Sequence, residues 1–164
     1  MRGLVTLLES IGARNVRTYI QSGNAVFQSG QQDVSLLSRK IGAAVEKGHG
    51  FAPRVLVMKA ERLEKAVRDN PFPGAESEPK NLHLYFLASS PERPDLDALE
   101  SVRAVGERFV LEADVFYLHT PDGLGRSRLA AGVEKLLGVP ATARNWRTVC
   151  RVLEMAKPRD RGPD

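Results

Sequence analysis

ATARNWRTV, residues 141–149, holds the only tryptophan of the chain together with two arginines, two threonines and an asparagine. It follows a helix-stopping Gly-Val-Pro string and precedes an apolar pattern of helical period. We therefore predict that it opens the last helix, with Thr142 or Asn145 as the N-cap and the tryptophan facing the core. Because helix N-termini attract anions, Arg144 and Arg147 would complete an anion site there. The alternative is that the stretch only caps the helix and packs the core.

A glycine-rich loop lies upstream, at Asp122-Gly123-Leu124-Gly125-Arg126-Ser127, directly ahead of another apolar helical pattern. Glycines in this position let backbone N–H groups point at a bound anion. We predict ligand contacts from Asp122, Gly123, Gly125 and Arg126. The string matches neither the dinucleotide fingerprint nor the phosphate-binding P-loop, and the alternative is a plain loop with Ser127 as N-cap.

Around these two motifs the second half of the chain alternates strand and helix patterns. Three short runs have the apolar and aromatic content of strands, and two longer runs repeat apolar residues at helical spacing. The predicted order is strand 82–87, helix 95–103, strands 108–111 and 115–118, helix 129–137 and the last helix. The second half is therefore β-α-β-β-α with an extra helix.

The first half shows a similar rhythm. A helical pattern at 4–11 leads into two β-branched runs around the turn Gln21-Ser22-Gly23-Asn24, whose Gly and Asn suit a tight hairpin. Next we predict a helix capped by Asp33, a buried strand over 54–58 and a short helix near 63–67. The polar turn contributes Gln21, Ser22 and Asn24 to the candidate ligand contacts. Ahead of the short helix, the order of elements is α-β-β-α-β.

Both orders are incomplete copies of the split βαβ, or ferredoxin-like, plan β-α-β-β-α-β. We therefore predict an α+β fold of two ferredoxin-like lobes. The first lobe, 1–73, would lack its opening strand, and the second, 80–156, would lack its closing strand and carry the extra C-terminal helix. The polar residues 157–164 are predicted to be a disordered tail.

Composition limits the class of protein. The 164 residues carry a net charge of +4, with the basic excess in residues 1–72, which makes an anionic ligand or nucleic acid conceivable. Apolar runs are too short for a membrane span, and the single Cys150 excludes an internal disulfide, so we expect a cytoplasmic protein. His49, His83 and His119 lack metal-ligand spacing, and we predict no metal and no cofactor.

Five strings of the chain resemble one family, DUF1697, which comprises bacterial proteins of unknown function. They are Thr18–Phe27 (TYIQSGNAVF), Asn70-Pro71-Phe72, Lys80, the glycine loop 122–127 and the stretch 141–149. The resemblance implies a paired ferredoxin-like fold and supplies no activity, substrate or catalytic residue. Members of the family usually begin with a strand and a loop ahead of the helix that here starts at Met1. The open sheet edge expected from that difference would allow a homodimer.

The leading functional prediction is the binding of a small anionic or phosphorylated ligand by the glycine loop, residues 142–147 and the hairpin turn, with Lys80 and Tyr19 as secondary candidates. The first alternative is an enzyme, a hydrolase or transferase acting on a phosphorylated metabolite, although its catalytic residues are unknown. The second alternative is a nucleic-acid-binding module, which would need exposed aromatics on the strands; the candidates are Tyr19, Phe27, Tyr85 and Tyr117.

Overall fold

The computed structural model describes residues 2–19 and 23–157 and divides into two compact units. The first unit comprises the residues up to Glu64 and those from Arg151 onward, and the second comprises Lys65–Cys150. Both units combine helices with antiparallel strands, which confirms the predicted α+β class. The lobe limits 1–73 and 80–156 stay a prediction.

The first unit packs helices against a two-stranded sheet. Its elements are α1 (Arg2–Ser10), β1 (Arg14–Tyr19), β2 (Asn24–Gln28), α2 (Val34–His49) and the start of α3 (Ala60–Arg68). The strands pair antiparallel, as the hairpin pattern predicted. The Asp33 carboxylate caps α2 by accepting two backbone N–H bonds, and Gly50 ends it with a left-handed φ of 74°. The buried core of this unit is Leu8, Ala13, Leu37, Ile41 and Val45.

The predicted strand over 54–58 is wrong, since these residues form no strand in the structure. Val55 and Val57 do pack on the apolar core, which explains the β-like sequence. The backbone N–H of Val57, however, donates to the Ser38 hydroxyl of α2 at 3.1 Å. The sheet here consists of β1 and β2 alone in the described chain, so the segment has no neighbouring strand with which to form a ladder.

The second unit is built on a four-stranded antiparallel sheet. Its elements are β3 (Leu82–Leu87), α4 (Leu96–Val102), β4 (Arg108–Glu112), β5 (Val115–His119), α5 (Arg128–Leu137), β6 (Ala141–Asn145) and the start of α6 (Trp146–Ala156). The strand order is β4-β5-β3-β6. Every residue of the central strands β3 and β5 is buried, and one face packs with Leu99, Leu129, Val133 and Leu137.

The last helix begins where the predicted cap at Asn145 places it, but the residues ahead of it form a strand that was not predicted. Residues 141–145 form β6, which pairs antiparallel with β3, and the helix begins only at Trp146. The local sequence pattern predicts only a helix cap for the short run between Pro140 and the helix. The run forms a strand because the backbone of β3 provides it with hydrogen-bonding partners. The second unit thus has the complete order β-α-β-β-α-β before α6, and the predicted loss of its closing strand is wrong. The ferredoxin-like comparison stays a prediction for both lobes.

Of the predicted tail 157–164, only Lys157 lies within the described residues, and its backbone N–H donates to the Leu153 carbonyl at 3.2 Å. Over the described ranges, each helix is too short or too polar to cross a membrane.

Candidate functional site

Three strand pairings bring distant residues to one end of the sheet in the second unit. Leu82 at the start of β3 lies opposite His119 at the end of β5, and His83 lies opposite Asn145 at the end of β6. Arg108, the first residue of β4, is the other partner of His119. The glycine loop after β5 and the helix after β6 therefore both leave the sheet at this end.

Asn145 is the cap of the last helix. Its side-chain Oδ1 accepts a hydrogen bond of 2.9 Å from the backbone N–H of Thr148. Thr142, the alternative cap, lies inside β6 opposite Phe86 and has no capping role. Trp146 is buried, as predicted. The Asn145 side chain therefore already binds one of the backbone N–H groups that an anion would use at this helix N-terminus.

The two arginines of this stretch occupy different structures. Arg144 lies within β6 opposite Leu84, and its Nη1 donates to the Ala143 carbonyl at 2.8 Å. Burial lowers the pKa of Arg144 from its ordinary value. Arg147 lies in the first turn of α6 and is exposed. Of the predicted pair, only Arg147 belongs to the helix N-terminus.

The glycine loop forms a surface turn. Gly123 adopts a φ of 92°, and its N–H donates to the Thr120 carbonyl at 3.0 Å. A short 3-10 turn over Leu124–Arg126 follows, and the Ser127 hydroxyl then caps α5 by accepting from Ala130 at 2.9 Å. Asp122, Gly125 and Arg126 are exposed. The geometry therefore matches the alternative prediction, a plain loop with Ser127 as the N-cap of α5. The charged side chains of Asp122 and Arg126 face solvent.

The glycine loop and the stretch 142–147 flank the same short segment before β3. Asn81 donates from its side chain to the Pro121 carbonyl at 3.2 Å, and its own carbonyl accepts from Thr120 at 2.8 Å. On the other side, the Arg147 N–H faces the Pro79 carbonyl at 3.5 Å. Because β3 lies between β5 and β6, the strand ends from which the two motifs leave the sheet are about 10 Å apart, twice the strand spacing. The two motifs therefore share one end of the sheet.

The hairpin turn is described only in part. Gln21 and Ser22 lie outside the described residues, so their predicted contacts cannot be placed. Asn24 starts β2 opposite Tyr19, and its side-chain amide donates to the Tyr19 carbonyl at 3.2 Å. This bond closes the hairpin and gives Asn24 a structural role there.

Sequence reasoning missed a charged cluster around His119. Nε2 of this imidazole lies 3.7 Å from Oε2 of Glu78, and Nδ1 lies 3.4 Å from Nη2 of Arg108. The Arg108 guanidinium in turn stacks on the ring of buried Phe72, 4.9 Å from its centroid. His119 is only 8% exposed, whereas the Glu78 side chain is 58% exposed. No local spacing signals this group, because its members meet only through strand pairing.

Three further residues considered in the sequence, His83, Tyr85 and Tyr117, are buried in the core. Burial lowers the pKa of His83, with a backbone hydrogen bond at Asn81 partly opposing the shift, and its Nδ1 has no hydrogen-bond partner. Tyr85 and Tyr117 are 7% and 1% exposed, so neither can stack a nucleic-acid base. Among the described residues, no three His, Cys, Asp or Glu side chains are placed to hold a metal ion.

An open groove of about 580 Å³ lies in the first unit, between β1 and the end of α6. Its lining residues are Arg17, Thr18, Tyr19, Arg151, Glu154, Met155 and Lys157. The Arg17 guanidinium donates to the Met155 carbonyl, which anchors it in place. Arg151 forms an ion pair of 2.9 Å with Glu154. With three basic side chains and one acidic, this groove has an excess of two positive charges.

The fold and the groove define a two-unit α+β protein with a basic surface groove. The chain belongs to the DUF1697 family, whose model, described as "Protein of unknown function (DUF1697)", matches residues 1–117. This confirms the resemblance seen in the sequence. The match covers β1, β2 and the hairpin between them, and it ends before the glycine loop and β6.

A solved structure extends the comparison to nearly the whole chain. The conserved bacterial protein SP0830 from Streptococcus pneumoniae is similar with a TM-score of 0.66 and 21% sequence identity. The likeness covers 96% of this chain and 89% of that chain. At this identity the comparison shows a shared fold. No curated protein matches the chain.

Proposed function

We propose that this protein binds a small anionic, phosphorylated ligand in the groove of the first unit. The observation that carries the proposal is the convergence of Arg17, Arg151 and Lys157 on one opening, with Glu154 as the single opposing charge. A groove lined by one sign of charge raises the local concentration of an anion of the other sign. Guanidinium groups also match the oxygens of a phosphate, with which they form paired hydrogen bonds.

The groove is partly organised before any ligand arrives. Arg17 is tied to the Met155 carbonyl, and β1 is held in register by β2. The hydroxyl groups of Thr18 and Tyr19 add polar contacts without charge. Arg151 and Lys157 are both exposed, and Arg151 is paired with Glu154, so a bound phosphate would compete with this carboxylate for the guanidinium.

This location connects the groove with the predicted hairpin contacts. Tyr19 is the last residue of β1, and the turn containing Gln21 and Ser22 follows it. The predicted contacts Gln21, Ser22 and Asn24 therefore follow a groove residue in the sequence, and the proposed site is the groove rather than the turn. The other predicted contacts lie in the second unit and constitute a rival location for the same class of ligand; they are Asp122, Gly123, Gly125, Arg126, Thr142, Arg144, Asn145 and Arg147.

Calorimetric titration with pyrophosphate tests the proposal and its location together. We expect Arg151→Ala to weaken binding about threefold to tenfold, since a charge-assisted hydrogen bond contributes on the order of 1 kcal/mol at an exposed site. Glu154→Gln should strengthen binding about twofold, because it removes the opposing charge while keeping the shape of the side chain. Arg126→Ala, a matched exposed arginine of the second unit, should have no effect.

The variants distinguish the groove from the glycine loop as the site of anion binding. Weakening by Arg126→Ala with no change in Arg151→Ala would move the site to the glycine loop and overturn the groove. A parent protein that binds neither pyrophosphate nor a nucleoside triphosphate would overturn anion binding altogether. Raising the salt concentration should weaken true binding, because exposed charges are screened.

The second candidate is an enzyme acting on a phosphorylated metabolite, and the cluster at His119 favours it. A buried imidazole there lies between a carboxylate, Glu78, and a guanidinium, Arg108. Such groups can move a proton and stabilise developing negative charge. Hydrolysis of p-nitrophenyl phosphate by the parent, lost in His119→Asn and retained in Arg151→Ala, would support this candidate. Absence of turnover in the parent would count against it.

A further inference from the structure

β4 lies at one edge of the sheet in the second unit and carries opposite charges at its two ends. It reads Arg108-Phe109-Val110-Leu111-Glu112, and β5 is its only neighbouring strand among the described residues. Arg108 and Glu112 are exposed, and the three apolar residues between them are half-buried. The strands of this sheet all lie within residues 82–145. The open edge of β4 therefore depends only on strands inside this range.

The side chains of β4 divide by strand alternation into an apolar face and a charged face. Phe109 and Leu111 pack on the apolar core of the unit. Arg108, Val110 and Glu112 therefore project to the opposite face, with Val110 midway between the two charges. A strand added at this edge would meet a cation, an apolar residue and an anion, in that order.

The backbone groups of β4 alternate between β5 and the open edge. The turn of two residues that joins these strands makes Glu112 and Val115 a hydrogen-bonded pair. Hydrogen-bonded and non-hydrogen-bonded pairs alternate along an antiparallel ladder, so Val110 is also bonded to β5. The N–H and C=O groups of Phe109 and Leu111 therefore point away from β5, toward the open edge.

We propose that β4 pairs antiparallel with β4 of a second copy of this chain, around a two-fold axis at Val110. Phe109 then lies opposite the partner's Leu111, and the two exchange hydrogen bonds through backbone groups that already face the edge. Arg108 lies opposite the partner's Glu112, and the symmetry repeats this ion pair at the other end of the strand. The product is a continuous sheet, β6-β3-β5-β4-β4-β5-β3-β6, shared by two protomers.

Charge complementarity selects a second copy as the partner. A strand with a cation at one end and an anion at the other is complementary to itself when paired antiparallel, and opposite charges across a strand pair are stabilising. The other edge, β6, has Arg144 as its only charge, so pairing with its own copy provides no opposite charge.

Both charged side chains of β4 are placed for this contact. The Arg108 guanidinium stacks on the ring of Phe72, 4.9 Å from its centroid, which holds the cation beside the strand. Glu112 makes no ion pair with another described residue, so its carboxylate is available to the partner's Arg108.

Light scattering after size exclusion, across a concentration series of the full chain, tests the pairing. A strand of five residues buries little surface, so the parent should pass from monomer to dimer in the micromolar range. Glu112→Arg should raise the dissociation constant about tenfold or more, because it makes both cross-strand charge pairs repulsive. Glu92→Arg makes the same change of charge at an exposed position outside the strands and should leave the constant unchanged.

Charge reversal at the other end of the strand identifies the contact. Arg108→Glu should also weaken the dimer, and mixing it with Glu112→Arg should give a dimer with one copy of each, since an acidic strand then lies opposite a basic one. The double variant Arg108→Glu/Glu112→Arg should pair with itself as the parent does. This pattern requires position 108 of one copy to face position 112 of the other.

Three results would overturn the proposal. The first is a parent that stays monomeric to about millimolar concentration, well above the strength expected of such an edge. The second is a Glu112→Arg dimer with the dissociation constant of the parent. The third is a mixture of the two single variants that remains monomeric while circular dichroism shows both to be folded. Native mass spectrometry that finds a foreign peptide on the parent, and none on Glu112→Arg, would exclude the second copy and assign the edge to another chain.

Discussion

The phenol of Tyr117 donates a hydrogen bond of 2.8 Å to the backbone carbonyl of Ala66, and 51 residues of sequence separate the two. This bond ties β5 to α3 within the second unit. Burial, followed by repulsion from Asp69 and two nearby carboxylates, raises the pKa of Tyr117 to about 12.

The raised pKa of Tyr117 predicts a loss of stability at alkaline pH. The unfolded phenol ionises near its ordinary pKa of 10, whereas the folded one keeps its proton to about 12. The contribution is therefore fully present below pH 10 and is lost as the pH rises from 10 to 12. In urea titrations, Tyr117→Phe should cost about 1–2 kcal/mol at pH 7 and reduce the alkaline slope. An equal slope in parent and variant would contradict this assignment.

The cap at Asn145 predicts a specific stability loss. Asn145→Ala removes the acceptor for the Thr148 N–H, and we expect it to lower the free energy of unfolding by about 1 kcal/mol. Asn145→Asp keeps an acceptor and places a negative charge at the helix N-terminus, so it should retain most of the stability. Thermal denaturation of both variants makes the comparison. A neutral Asn145→Ala would show that the cap is dispensable.

The two glycines of the loop should respond differently to alanine. Gly123 has a φ of 92°, which an L-residue adopts at a cost of about 1 kcal/mol, so Gly123→Ala should destabilise the protein. Gly125 lies outside the left-handed region and has open space around its Cα. Gly125→Ala should therefore be neutral or slightly stabilising. If pyrophosphate binding falls in Gly125→Ala while chemical unfolding is unchanged, the loop contacts the anion.

Much of the fold was predictable because it depends on local patterns. The Asp33 cap, the hairpin of β1 and β2 and the apolar run of β3 each reflect residues close in sequence. The two errors, at 54–58 and 141–145, concern strands whose existence depends on a neighbour. Residues 54–58 have a strand-like pattern but no neighbouring strand among the described residues, whereas residues 141–145 have a weak strand pattern and pair with β3.

The candidate sites likewise divide into those that the local sequence predicts and those that only the fold assembles. Local sequence pointed to the hairpin at Tyr19 and to the glycine loop, because turn residues and glycines signal their conformations locally. It could not bring Arg17 to Arg151, nor His119 to Glu78, since each pair is far apart along the chain.

By itself, the sequence determined the α+β class, the family and the ends of most helices, all of which follow from short-range periodicity and capping. The tertiary structure alone decided that residues 141–145 are a strand and that Asn145 rather than Thr142 caps α6. It also assembled the basic groove. The physical reason is that backbone ladders and charge clusters need partners supplied by distant segments, and only folding brings those partners together.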